Sequence, residues 1–132
     1  MYAATYRMVL AIALLCLSAC AGRPGISGRG EQQSVDGLTI TLRATDTPKL
    51  LESQEFLITL TDAQGKAVDG ALVYLDLDMP TDSMGTNQPL ADGLGNGSYR
   101  ATTVYTMSGE WLVTVVARVE GKEYRAIFKR LV

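Results

Sequence analysis

Residues 97–117 read Gly97-Ser98-Tyr99-Arg100-Ala101-Thr102-Thr103-Val104-Tyr105-Thr106-Met107-Ser108-Gly109-Glu110-Trp111-Leu112-Val113-Thr114-Val115-Val116-Ala117. Two runs rich in β-branched and aromatic residues flank a break within residues 106–110, and together they read as a hairpin. The only tryptophan, Trp111, opens the second run. Trp111, Val113, Val115, Ala117 and Val119 recur at every second position, so they share one face of a strand that buries that face.

The same period runs through the chain on both sides. Leu38, Ile40 and Leu42 alternate with Thr39, Thr41 and Arg43. Phe56, Ile58 and Leu60 alternate with Leu57, Thr59 and Thr61, and Val73, Leu75 and Leu77 with Tyr74, Asp76 and Asp78. Pro80 stops the third of these runs because it brings no ladder donor. Gln88 to Ala91 fits a short edge strand, where Pro89 is tolerated. Asp92 to Gly97 holds three glycines in six residues and reads as a tight reversal. Tyr124, Ala126 and Phe128 mark the last strand. No window shows helical spacing of apolar residues. Six strands, or seven with the short one at Gln88–Ala91, predict an all-β fold, an immunoglobulin-like antiparallel β-sandwich over residues 37–132.

The N-terminal fifth has a different character. Arg7 precedes a continuous apolar run, Met8 to Leu15, which is the pattern of a secretory signal and too short for a membrane-spanning helix. The run ends in Leu17-Ser18-Ala19-Cys20, which resembles the bacterial lipobox at all four positions. That resemblance implies cleavage after residue 19 and a lipid-modified Cys20 at the mature N-terminus, anchored in a membrane. Ala21 stands where an aspartate often signals inner-membrane retention, so the implied address is the bacterial envelope, with the outer membrane favoured and the domain in the periplasm. Residues 20–36 contain four glycines, one proline and scattered charges, which reads as a flexible tether with a reach of roughly 20–25 Å. The expected organisation is therefore a signal peptide at 1–19, a lipidated tether at 20–36 and a sandwich at 37–132.

This reading leaves the mature domain without a free cysteine, because Cys16 leaves with the signal and Cys20 carries lipid. The 132-residue chain has no histidine. Its formal net charge of −2 becomes about −3 once Arg7 is removed, and the charges are interspersed. No basic stripe exists to neutralise phosphates, which argues against a nucleic-acid partner. The core must form without a disulfide.

From Asp92 to Ala117 the chain resembles the YtkA-like domain family, small exported β-sandwiches also similar to the FixH-type accessory proteins. The residues carrying the resemblance are Gly97-x-Tyr99-x-Ala101, Met107-x-Gly109-x-Trp111, Val113-x-Val115, and the earlier Val73-x-Leu75-x-Leu77-x-Met79-Pro80. The resemblance implies a role in periplasmic metal handling, copper above all, or as an accessory to respiratory oxidases. Relatives often place histidine with methionine after the Met-Pro pair. Here residues 79–87 carry Met79 and Met84 but no histidine.

Three functional readings follow. Thioether sulfur is a soft donor suited to Cu(I), so Met79, Met84 and Met107 are candidate ligands of a Cu(I) site. Strand parity brings their loops to one end of the sandwich if Gln88–Ala91 pairs as a strand; otherwise Met107 goes to the opposite end. The structural alternative is that Met79 and Met107 cap the core as adaptable apolar residues. The second reading is a non-catalytic module that docks onto an envelope protein partner through loops on a rigid scaffold. An enzyme is the third and least supported. Without histidine, a serine nucleophile lacks its usual base. Asp76 and Asp78 share a strand face, but a glycosidase needs a larger cleft than this domain supplies. No catalytic residue is expected. Tyr99 is expected to hydrogen-bond back to the preceding glycine turn, as in a tyrosine corner.

Overall fold

The computed structural model describes residues 30–82 and 85–132. The predicted signal peptide, Cys20 and Met84 lie outside the described residues. Eight strands form, β1 (Glu31–Val35), β2 (Leu38–Ala44), β3 (Ser53–Thr61), β4 (Leu72–Asp78), β5 (Asp92–Gly95), β6 (Ser98–Val104), β7 (Glu110–Val119) and β8 (Lys122–Leu131). They build two antiparallel sheets, one of five strands in the order β1-β2-β3-β6-β5 and one of three in the order β4-β7-β8. This is the immunoglobulin-like antiparallel sandwich that the periodicity predicts, with eight strands rather than six or seven.

Each inward-facing residue follows from the period of two. The first sheet contributes Leu38, Ile40, Leu42, Phe56, Ile58, Leu60, Tyr99 and Ala101 to the core. The second contributes Val73, Leu75, Leu77, Trp111, Val113, Val115, Ala126 and Phe128. Burying each large aliphatic or aromatic side chain is worth about 1.5–3 kcal/mol, and this layer replaces the absent disulfide. Three tight turns set the register. Asp36-Gly37, Asn96-Gly97 and Glu120-Gly121 join β1 to β2, β5 to β6 and β7 to β8, and all six residues have positive φ. That is the two-residue turn whose twist matches a hairpin.

Three expectations are corrected. First, residues 97–117 are not a hairpin. β6 pairs with β3 and β5, whereas β7 pairs with β4 and β8. The break at Tyr105–Gly109 is long enough to cross the ~10 Å between sheets, and lacks the two-residue turn that would fold one run onto the other. Second, the tether does not extend to residue 36. Glu31–Val35 forms β1, in register with β2 from Glu31 opposite Leu42 to Val35 opposite Leu38. Main-chain pairing makes this strand, since its side chains are mostly exposed. Third, the chain before β6 does two jobs. Residues 87–91 run along the edge of β4, where the carbonyls of Asn87 and Pro89 accept from the amides of Leu77 and Leu75 at 3.0 Å, and the Ala91 amide donates to Val73 at 2.8 Å. Only Leu90, opposite Tyr74, forms a bridge there. The next residues, expected as a reversal, are strand β5 in the other sheet.

Candidate functional site

The pairings give the sandwich two unlike ends. At one, the turn end, lie the three tight turns and the β3–β4 connection. At the other, the loop end, lie the β2–β3 loop, the turn after β4, the β6–β7 crossing, the start of β1 and the end of β8.

The loop end holds two of the three candidate methionines. Met79 is buried, only 3% exposed, and belongs to the core. A Cβ on Gly109 would sit 2.8 Å from the Met79 Cε, so the glycine makes room for the thioether methyl. Met107 is exposed, and its carbonyl accepts a 3.0 Å bond from the Trp111 indole nitrogen. Met79 and Met107 thus share an end, one sunk into the core and one at the surface. Among the described residues, no three His, Cys, Asp or Glu side chains gather where a metal ion would be held.

An aromatic pair closes the core here. The rings of Tyr105 and Trp111 meet edge to face, with centroids 5.2 Å apart and planes at 63°. The Tyr105 carbonyl accepts from the Leu51 amide at 2.8 Å and so ties the β2–β3 loop to the crossing. Gly109 and Val132 exchange two backbone bonds of 2.9 and 3.0 Å. The Tyr105 hydroxyl is buried with no hydrogen-bond partner among the described residues. Burial pushes its pKa up to about 12, against the opposing pull of the Arg130 guanidinium.

Around this buried pair exposed apolar side chains stand among the charged ones. Leu50, Leu51, Val104, Met107 and Leu131 are all exposed, Leu51 by 69%. Leu51 also has φ +58°, a conformation that costs a non-glycine residue free energy. These five are the majority of the nine exposed large apolar side chains described, and they share one end. Sequence reasoning missed them. The available signal was Leu50-Leu51, an apolar pair inside the otherwise polar loop at residues 45–53.

At the turn end, Tyr99 donates to the Val68 carbonyl at 2.7 Å and accepts from the Ala71 amide at 3.1 Å. Its partners lie on the β3–β4 connection, not on the preceding glycine turn as expected. The Gly97 amide reinforces this by donating to Asp69 Oδ1 at 2.7 Å. A shallow groove lies beside it, lined by Asp36, Leu38, Asp62, Val68, Val119 and Tyr124.

Asp76 and Asp78 lie on the outer face of β4. Asp76 pairs with Arg125 at 3.7 Å, and Arg125 also binds Glu123 at 2.7 Å. Hydrogen bonds from Arg125 and Arg118 hold the Glu123 carboxyl below its usual range. Ion pairs of this exposed kind are solvated surface chemistry and contribute little to stability.

Two face-to-face antiparallel sheets, with loops gathered at one end, define an immunoglobulin-like sandwich domain. The YtkA-like family model matches residues 32–116, and the chain belongs to that family. The match begins within β1, in agreement with a fold that starts before residue 37. The chain is also similar to a solved structure of FdeC, a broadly conserved Escherichia coli adhesin, with 28% identity and a TM-score of 0.52. That likeness covers 76% of this chain and 32% of the solved adhesin chain, so it spans about a third of that chain's length. No curated protein matches the chain.

Proposed function

We propose that this protein is an envelope lipoprotein, held to a membrane through Cys20, whose sandwich works without catalysis by binding another protein. The observation carrying this reading is the likeness to FdeC, a protein described as an adhesin, on a scaffold with structurally distinct ends. Lipid attachment rests on Leu17-Ser18-Ala19-Cys20. Two or three acyl chains hold a small domain stably, since each buried methylene adds about 0.8 kcal/mol. The absence of histidine from the sequence supports a non-catalytic role. Affinity capture of the tagged full chain from envelope membranes tests the binding function. Recovery of one protein at near-stoichiometric level is expected; recovery of none from cross-linked membranes contradicts it.

A second reading, an accessory in periplasmic copper handling, is favoured by the shared position of Met79 and Met107 at the loop end, with Met84 five residues after Met79 in the sequence. Thioethers need no deprotonation and suit Cu(I) in an oxidising compartment. Anaerobic Cu(I) titration against a competing chelator tests it. The site predicts affinity that falls at least tenfold in a Met79→Ala/Met84→Ala variant. Equal affinity in the two proteins excludes it.

A further inference from the structure

We propose that the loop end lies against the lipid bilayer, with Leu50, Leu51, Val104, Met107 and Leu131 meeting the membrane surface. This orientation rests on the lipid attachment at Cys20 and adds a contact that attachment does not require. Two independent observations converge on it. The chain toward Cys20 joins β1 at Glu31, and the pairing of Glu31 with Leu42 places that entry at the loop end. The exposed apolar side chains concentrate at the same end.

Length favours the loop end over the turn end. Residues 21–30 separate Cys20 from β1, ten residues that span at most about 33–36 Å when fully extended. A strand as long as β7, with ten residues, covers about 33 Å. Bringing the turn end to the bilayer would stretch the connection along the whole length of the domain. Bringing the loop end there needs no such stretch. Leu51 adds a local argument: a strained backbone holds an apolar side chain out of the core, and strain of this kind gathers at contact sites.

Charge indicates which interaction dominates. Asp46, Glu52, Asp82 and Glu110 stand around this end with Lys49 and Lys129, and Lys49–Glu52 and Lys129–Glu110 are paired. Anionic lipid would therefore gain nothing, and the contact depends on apolar side chains entering the interfacial zone. A bilayer of neutral phosphatidylcholine suffices. In this orientation the turn end, with its groove, faces away from the membrane.

The test uses the lipidated full-length protein in phosphatidylcholine vesicles. The only cysteine expected in the mature chain is lipidated, so Leu51→Cys and Met107→Cys at the loop end and Lys66→Cys at the turn end each accept one nitroxide label. Collision with oxygen, which partitions into lipid, is compared with collision with a water-soluble nickel chelate. Labels at 51 and 107 are expected to show an oxygen-to-chelate ratio several-fold above that at 66. Protein that floats with its vesicles but gives equal ratios at all three positions overturns the orientation and leaves the anchor standing. Protein that does not float overturns both. Labels at 51 and 107 shielded from both probes indicate a second copy of the chain on this end, which also overturns the lipid assignment.

Discussion

At the scale of single residues, Leu51 and Tyr105 are held in states that folding alone does not favour. Leu51 adopts φ +58° with its side chain largely in solvent. A glycine there avoids a backbone cost of about 1–2 kcal/mol and forfeits about 0.5–1 kcal/mol to the unfolded chain. Leu51→Gly is therefore expected to leave the fold equally stable or up to about 1 kcal/mol more stable in urea unfolding, while weakening the contact at the loop end. Tyr105 buries an unpartnered hydroxyl. Tyr105→Phe keeps the ring against Trp111 and removes that oxygen, so it is expected to be neutral or stabilising by up to about 1 kcal/mol. The pH dependence follows from the raised pKa. The phenol ionises near 10.0 when unfolded and near 12 when folded, so the folded state holds the proton more tightly. Its contribution is complete below pH 10 and is lost as pH rises through 12. Alkaline unfolding curves should show that component in the parent and not in Tyr105→Phe.

At the scale of elements, β1 is the segment whose role changed most. Glu31-Gln32-Gln33-Ser34-Val35 has no apolar alternation, and glycines and a proline crowd the residues before it, so composition groups it with a tether. The signal that specifies it lies just downstream. Asp36-Gly37 is a hairpin turn, and a hairpin needs a strand on each side. The strand is fastened by the Gln33 side chain, which donates to the Ile127 carbonyl, and by Arg130 Nη1 at 3.0 Å from both carboxylate oxygens of Glu31. A domain cut to begin at residue 37 loses this strand and bares the edge of β2. It is expected to be less stable than one beginning at Gly30 by on the order of 2–4 kcal/mol, from several lost ladder bonds, with more aggregation on heating. Comparing the two proteins by thermal melting and light scattering checks this.

At the scale of the whole molecule, the alternation of Leu38–Leu42, Phe56–Leu60, Val73–Leu77 and Trp111–Ala117 made the fold class and most of the core legible in the sequence. What that alternation cannot say is which sheet a strand joins, because an inward face looks the same from either side of one core. Residues 97–117 show the consequence. Their two runs lie in different sheets instead of side by side, and Tyr105–Gly109 is an arch between the sheets. The contrast with Asn96-Gly97 and Glu120-Gly121 is the physical clue, since true hairpins here close on two residues of positive φ. The candidate site was less legible. Met79 and Met107 do come to one end, but the exposed leucines beside them depend on a backbone conformation at Leu51 that no local pattern announces.

The two-ended molecule acquires a direction only if it is attached where the sequence implies. Mass spectrometry of the N-terminal fragment, released from protein in the membrane fraction, tests that attachment most directly. A lipid-anchored module predicts a fragment that begins at Cys20 and carries two or three acyl chains. An unmodified Cys20, or a chain recovered from the aqueous fraction with another first residue, would contradict the anchor, the orientation it imposes and the envelope role built on it.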